Sequence, residues 1–256
     1  MTKMKALTPD DLAMYEWQLD VPHFGLEGQQ KLKNATALVS RTGGLGGALA
    51  MQLAAAGFGK IILAHEGELK PSDLNRQTLM TQNGIGRLRV EQAKETIIRF
   101  KSDIEVEAIN ANFNEENAKE LVAKADIVFD CAPLFEERFL MNRECIQQGK
   151  PLVDCAMYNL EAQLMNVIPG STPCLQCVFP EKPPQWKRKF PVFGAVASLV
   201  ASIGAMEGIK IIAGMPNILT NQILYINANT LTFKKLPIKK NPACKICKHL
   251  IKKELI

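Results

Sequence analysis

Between residues 34 and 110 the apolar positions change period several times. "ATALVS" (35–40) is a short β-branched and apolar run, and "GALAMQLAAAGF" (47–58) has the apolar spacing of a helix that ends at Gly57. "KIILAH" (60–65) predicts a second strand. "RVEQAKETIIRF" (89–100) is amphipathic at i, i+3 and i+4, and "IEVEAIN" (104–110) alternates as a third strand. Further on, "NEENAKELVAKA" (114–125) is helical, "DIVFDC" (126–131) a buried strand, "EERFLMNRECIQQG" (136–149) a helix and "PLVDCAM" (151–157) another strand. The order predicts an α/β fold with a doubly wound, Rossmann-like sheet.

Beyond about residue 155 the pattern changes. "EAQLMNVIPG" (161–170) and "LYINANTLTFKKL" (224–236) alternate as antiparallel strands, and "FGAVASLVASIGAMEGIKIIAG" (193–214) is a long helix of small and apolar residues. No internal repeat or low-complexity linker interrupts the chain. The expectation is one domain over 1–256, with an N-terminal helical segment at 1–33 and a region at 170–256 that holds C-terminal antiparallel strands and two cysteine pairs. A hydrophobic content of 47% over 256 residues suffices for one substantial core.

No run reaches the roughly 18 apolar residues of a membrane span, and "MTKMKALTPDDLAMYEWQ" lacks the apolar block of a secretory signal, so a cytoplasmic protein without membrane contact is expected. The formal charge is +5, with lysine and arginine dispersed until "KKLPIKKNPACKICKHLIKKELI" (234–256). That basic end reads as a solvated terminus or as a contact for an acidic partner. No aromatic-rich basic motif accompanies it, so nucleic acid is not an expected partner.

The turn after the first strand carries candidate chemistry. In a dinucleotide-type loop the first glycine permits a tight bend, the second lets backbone approach phosphate, and the third lets the helix pack on the strand. Here the loop reads Arg41, Thr42, Gly43, Gly44, Leu45, Gly46. The second and third glycines are present and the first is Arg41. Bare amides at a helix N-terminus still favour an anion. Arg41 either supplies a cation to phosphates or fills the purine and ribose space, and the loop serves nucleotide binding or helix packing alone.

Four of the seven cysteines form two C-x2-C pairs, Cys174/Cys177 and Cys244/Cys247, each in a Pro-containing turn. Without a secretion signal this spacing favours metal thiolates over disulfides, and four thiolates make a closed structural zinc site with no open position for catalysis. Cys131, Cys145 and Cys155 lie in or beside apolar segments and read as buried, unreactive thiols.

The glycine loop, "DLNRQTLMTQNGIGRLRVEQAKE" (73–95), "DIVFDC", and "TPCLQCVFPEKP" followed by the 193–214 segment together resemble the E1-like adenylyltransferases of the MoeB/ThiF type, in particular the HesA branch, which is associated with nitrogen fixation. The resemblance spans nearly the whole chain. It implies a homodimer, a structural zinc on the two cysteine pairs, and ATP-dependent adenylation of the C-terminal carboxylate of a small ubiquitin-like sulfur carrier, with magnesium and cations stabilising the phosphate charge.

Carried over by position, the resemblance implies phosphate and catalytic roles for Arg76 and Arg89, the latter standing where the family has lysine. Asp73 stands at the family's asparagine, with Gln77 following Arg76. The ribose-binding acid falls on His65, next to Glu66. The family's two N-terminal arginines fall on Met14 and Trp17, around Tyr15 and before Gln18. Its magnesium-binding aspartate falls on Pro133, which leaves Asp130, Glu66 or Glu68 as magnesium candidates. No cysteine lies between Pro183 and Phe193, where some relatives carry a reactive one, and "EKPPQWKRKF" (181–190) reads as a mobile loop or a receptor for an acidic partner. Three readings follow: an active adenylyltransferase that uses Arg41, Arg76 and Arg89 as phosphate cations; a pseudoenzyme that docks a carrier or a cofactor-assembly protein; or the scaffolding half of a heterodimer.

Overall fold

The computed structural model describes residues 4–184 and 190–250. Three short helices come first: α1 (Pro9–Met14), α2 (Glu16–Leu19) and α3 (Gly25–Asn34). Thr8 and Asp11 close a capping box at the start of α1, and the Asp11 carboxylate also takes the Lys33 ammonium of α3. Burial favours neutral Asp11, but the bonds from Lys33 and Thr8 outweigh it and hold the carboxyl at about 2. Gln18 donates to the Ala56 carbonyl at 2.9 Å, so this segment is fastened to the body of the fold.

The α/β part then runs β1 (Thr36–Ser40), α4 (Gly44–Ala56), β2 (Lys60–Ala64), α5 (Arg89–Phe100), β3 (Glu105–Ile109), α6 (Ala118–Ala123), β4 (Ile127–Asp130), α7 (Phe135–Gln148) and β5 (Leu152–Tyr158). Antiparallel β6 (Glu161–Val167), the short α8 (Leu175–Val178), the long α9 (Gly194–Ala213), β7 (Gln222–Asn227) and β8 (Thr232–Pro237) complete it. Among the described residues the strands form one sheet in the order β3-β2-β1-β4-β5-β6-β7-β8. Pairings from β3 to β5 are parallel, and those from β5 to β8 antiparallel.

Alternation along the central strands divides the core. Ala37, Val39, Ile61 and Leu63 face one side with α4 and α9, whereas Leu38, Ile62 and Val128 face the other with α6 and α7. The small residues of α9 serve this packing: a Cβ at Gly208 would lie 2.2 Å from the Phe129 ring. The expectation that no segment is apolar enough to span a membrane is corrected here. By length and composition α9 qualifies, because its glycines, alanines and serines count little against its Val, Ile and Leu, yet it packs internally against α4, β5 and β6.

Candidate functional site

β1 pairs with β2 on one side and β4 on the other, so the strand order reverses there and a crevice opens at the strands' C-terminal ends. A cleft of about 710 Å³ occupies this point. The loop after β1 and the N-terminus of α4 form one wall, and the segment that follows β2 forms another.

In the glycine loop Arg41 takes φ +64°, the left-handed conformation that glycine adopts without cost. Its N–H donates to the Ala64 carbonyl at 2.7 Å and its own carbonyl accepts the Gly43 N–H at 2.7 Å, so the tight bend forms without the first glycine. The guanidinium is held in a bidentate pair with Glu137 of α7, both side chains nearly buried. The loop's third glycine is required sterically: a Cβ on Gly46 would stand 2.1 Å from the Arg41 carbonyl oxygen. At the end of β2, His65 Nδ1 lies 3.2 Å from the Thr42 hydroxyl. Glu66 is turned to Asn112, whose amide donates to its carboxylate at 2.9 Å.

Asp73 organises the opposite wall. Its carboxylate accepts Arg89 Nη2 at 2.7 Å, Arg76 Nη2 at 3.1 Å and the Lys70 N–H at 3.0 Å. Burial raises the Asp73 carboxyl, but the bonds from Arg89 and the Lys70 amide, with the charges of both arginines, prevail and hold it below the ordinary carboxylate range. Gln77, one residue past Arg76, is buried and lines the cleft, and its Oε1 has no hydrogen-bond partner. A buried acceptor left open at a cleft wall fits a donor arriving with a ligand.

The floor is charged as well. Asp130 of β4 and Asp154 of β5 are directly paired in register and both fully buried. Arg138 of α7 inserts between them, 2.6 Å from Asp154 Oδ1 and 3.3 Å from Asp130 Oδ2. Burial pushes the Asp130 carboxyl well up and the Asp154 charge adds to this, while Arg138 opposes it. Arg138 borders both the nucleotide-sized cleft and a second groove of about 610 Å³ walled by Phe135, Tyr158, Phe179 and Tyr225.

Each predicted residue thus has a place. Arg41, Gly43, Gly44, His65, Glu66, Glu68, Asp73, Arg76, Gln77, Arg89 and Pro133 line one cleft. Gly46 stands behind it as the packing glycine. Asp130 does not line the cleft: burial and its bonds to Arg138 and the Ala132 N–H sequester it. Of the magnesium candidates, exposed Glu66 and Glu68 line the cleft, whereas Asp130 does not reach it. Pro133 offers no ligand atom, Asp73 is saturated by arginines, and Glu66 is engaged by Asn112. Met14 and Trp17 are exposed, whereas Tyr15 is buried beneath the Lys101 ammonium. Much of the 181–190 loop, and the end of the basic tail, lie outside the described residues.

Sequence reasoning missed Lys70, Glu137, Arg138 and Asp154. A signal for the last two was present: "FDC" closes one buried strand and "VDC" opens the next, and two buried aspartates need a cation.

A four-cysteine cluster that could hold a metal ion lies apart from the cleft. The four sulfurs of Cys174, Cys177, Cys244 and Cys247 lie within 4.8 Å of one another, with Sγ separations of 3.6 Å for Cys174–Cys244 and 3.4 Å for Cys177–Cys247. Tetrahedral thiolates on zinc stand about 3.8 Å apart, so the donors fit that ion. The first pair is positioned by Asn142 of α7, whose side chain accepts the Leu175 N–H at 2.9 Å. Cys145 and Cys155 are buried, as expected of core cysteines, with thiols pushed well up by burial, whereas Cys131 is only partly buried and borders the cleft.

The model of the ThiF family matches residues 15–246. The protein HesA of heterocysts from Trichormus variabilis is 44% identical over 241 residues, 94% of this chain and 90% of that protein. The adenylyltransferase and sulfurtransferase MOCS3 of Drosophila ananassae is 32% identical over 94% of this chain, which spans 54% of it. Among solved structures, E. coli MccB with ATP superposes with a TM-score of 0.75 at 25% identity, covering 86% of this chain and 69% of that one. The chain belongs to the ThiF family of E1-like adenylyltransferases.

Proposed function

We propose that this protein adenylates the C-terminal carboxylate of a small ubiquitin-like sulfur-carrier or cofactor-assembly protein with ATP. The observation that carries the reading is the cleft at the strand-order reversal, where the α4 N-terminus, Arg76, Arg89 and the open Gln77 acceptor converge. In the reaction a carboxylate oxygen attacks the α-phosphorus, the bond to the β-phosphate oxygen breaks, and pyrophosphate leaves with that electron pair. The Gly44 amide and the two arginines hold the phosphates in line for attack and stabilise the charge that gathers on them. Arg138, at the junction of the cleft and the aromatic groove, orients the incoming carboxylate. Magnesium enters, on this reading, with the nucleotide, and the exposed Glu68 carboxylate at the cleft is the ligand the chain would offer it.

The exposed outer faces of α3 and α9, with Leu26, Ile203, Met206 and Ile209 facing outward in whole or part, support a homodimer. The cysteine cluster holds a structural zinc that clamps the C-terminal segment to the body. Similarity to HesA supports a role in cofactor assembly, with nitrogen fixation the context to test first.

A second reading is favoured by one set of observations: Arg41, Arg76, Arg89 and Arg138 are all paired with carboxylates, and the magnesium-binding aspartate is Pro133. A docking pseudoenzyme, or the scaffolding half of a heterodimer, would retain the cleft as a binding device. Isotope exchange between pyrophosphate and ATP in the presence of purified carrier separates the two. Exchange that is lost in Arg89→Ala supports adenylation; carrier binding without exchange, unaffected by Arg89→Ala, supports docking.

A further inference from the structure

The basic side chains around the cleft are unequal. Arg41 is held by Glu137, Arg76 and Arg89 by Asp73, and Arg138 by Asp130 and Asp154. Lys70 also lines the cleft, and it is exposed. Among the described residues no carboxylate forms an ion pair with its ammonium, neither Glu66 nor Glu68 before it nor Asp73 after it. Its backbone is nevertheless fixed. The Lys70 N–H donates to Asp73 Oδ2 at 3.0 Å, and its carbonyl accepts the Asp73 N–H at 2.9 Å as the chain enters the 3-10 turn Pro71–Asp73.

One carboxylate therefore gathers three cationic residues, and its charge is spent on the two arginines. An ammonium on a fixed backbone position at the solvent lip, next to two half-neutralised guanidiniums, suits an anion with several charges. The amides at the N-terminus of α4 lie deeper and suit the phosphate nearest the nucleoside. We propose that Lys70 is a binding residue for the terminal phosphates of the nucleotide, and for the pyrophosphate leaving group, recruited without first breaking an ion pair. The assignment rests on the adenylation reading above and adds to it the residue that discriminates triphosphate from monophosphate.

The test is calorimetric titration of wild type, Lys70→Ala and Lys70→Arg with ATP, AMP and inorganic pyrophosphate, each at two salt concentrations. For Lys70→Ala, ATP and pyrophosphate should bind about tenfold more weakly, as for loss of one charge-assisted contact, with a shallower salt dependence, while AMP is unchanged. Lys70→Arg should retain most of the affinity. If Lys70→Ala binds ATP as wild type does, or loses AMP equally, the assignment falls while the nucleotide reading stands. Wild-type protein that takes up none of the three would overturn both.

Discussion

Arg41 occupies a left-handed backbone position where a side chain costs about 1 kcal/mol, and the bidentate contact with Glu137 offsets that cost. Restoring glycine should therefore not stabilise the protein. Arg41→Gly strands a nearly buried Glu137 carboxylate and is expected to lower stability by about 2 kcal/mol or more in urea unfolding. Arg41→Gly combined with Glu137→Leu should recover most of that loss; an Arg41→Gly variant as stable as wild type would show the pair to be idle. Gly46→Val is the steric counterpart. A Cβ 2.1 Å from a carbonyl oxygen forces the α4 N-terminus off the strand, and a drop of several degrees in Tm is expected. The glycine loop and the arginines of 73–89 were legible in the sequence because short motifs fix them locally. Where Arg41 points was not, since Glu137 lies 96 residues away and only the fold brings them together.

At the scale of elements, apolar period placed α4, α5, α7, α9 and the strands correctly, with ends shifted by a few residues. The 114–125 segment is shorter as a helix than its pattern predicts. Asn114 and Asn117 bond neighbouring amides at about 3.0 Å and hold the chain in a turn until α6 begins at Ala118. The capping box of α1 gives a pH prediction. Asp11 has its carboxyl at about 2 in the fold against 3.8 unfolded, a depressed value, so its contribution is fully present above pH 4 and is lost as pH falls through 2. With its partial exposure discounted, Asp11→Asn should cost about 1 to 2 kcal/mol at pH 7 and nothing below pH 2, as read from unfolding across that range. The cysteine clamp gives another. Cys174→Ser or Cys247→Ser should abolish stoichiometric zinc and lower Tm while leaving nucleotide affinity near wild type, because the cleft and the clamp share no residue. Purified wild type without zinc would contradict the clamp.

The molecule as a whole places its two functional devices on one sheet: the parallel half ends in the cleft, and the antiparallel half carries the aromatic groove. The doubly wound architecture was legible because helical and strand periods alternate along the chain. The groove was not, since its walls come from β5, β6, β7, α7 and the segment after α8 and no contiguous motif records them. If α3 and α9 meet a second copy, sedimentation should give a dimer, and Met206→Glu should shift it toward monomer without loss of zinc.

Whether the cleft accepts nucleotide, with its arginines already ion-paired, decides the account most directly. Zinc-loaded protein should be titrated with ATP in a calorimeter, with and without magnesium, alongside Arg89→Ala. Saturable 1:1 binding at millimolar ligand or below, greatly weakened in the variant, is the predicted result. No heat and no thermal shift in wild type would mean that the glycine loop persists as a packing device and that the protein acts by docking its partner.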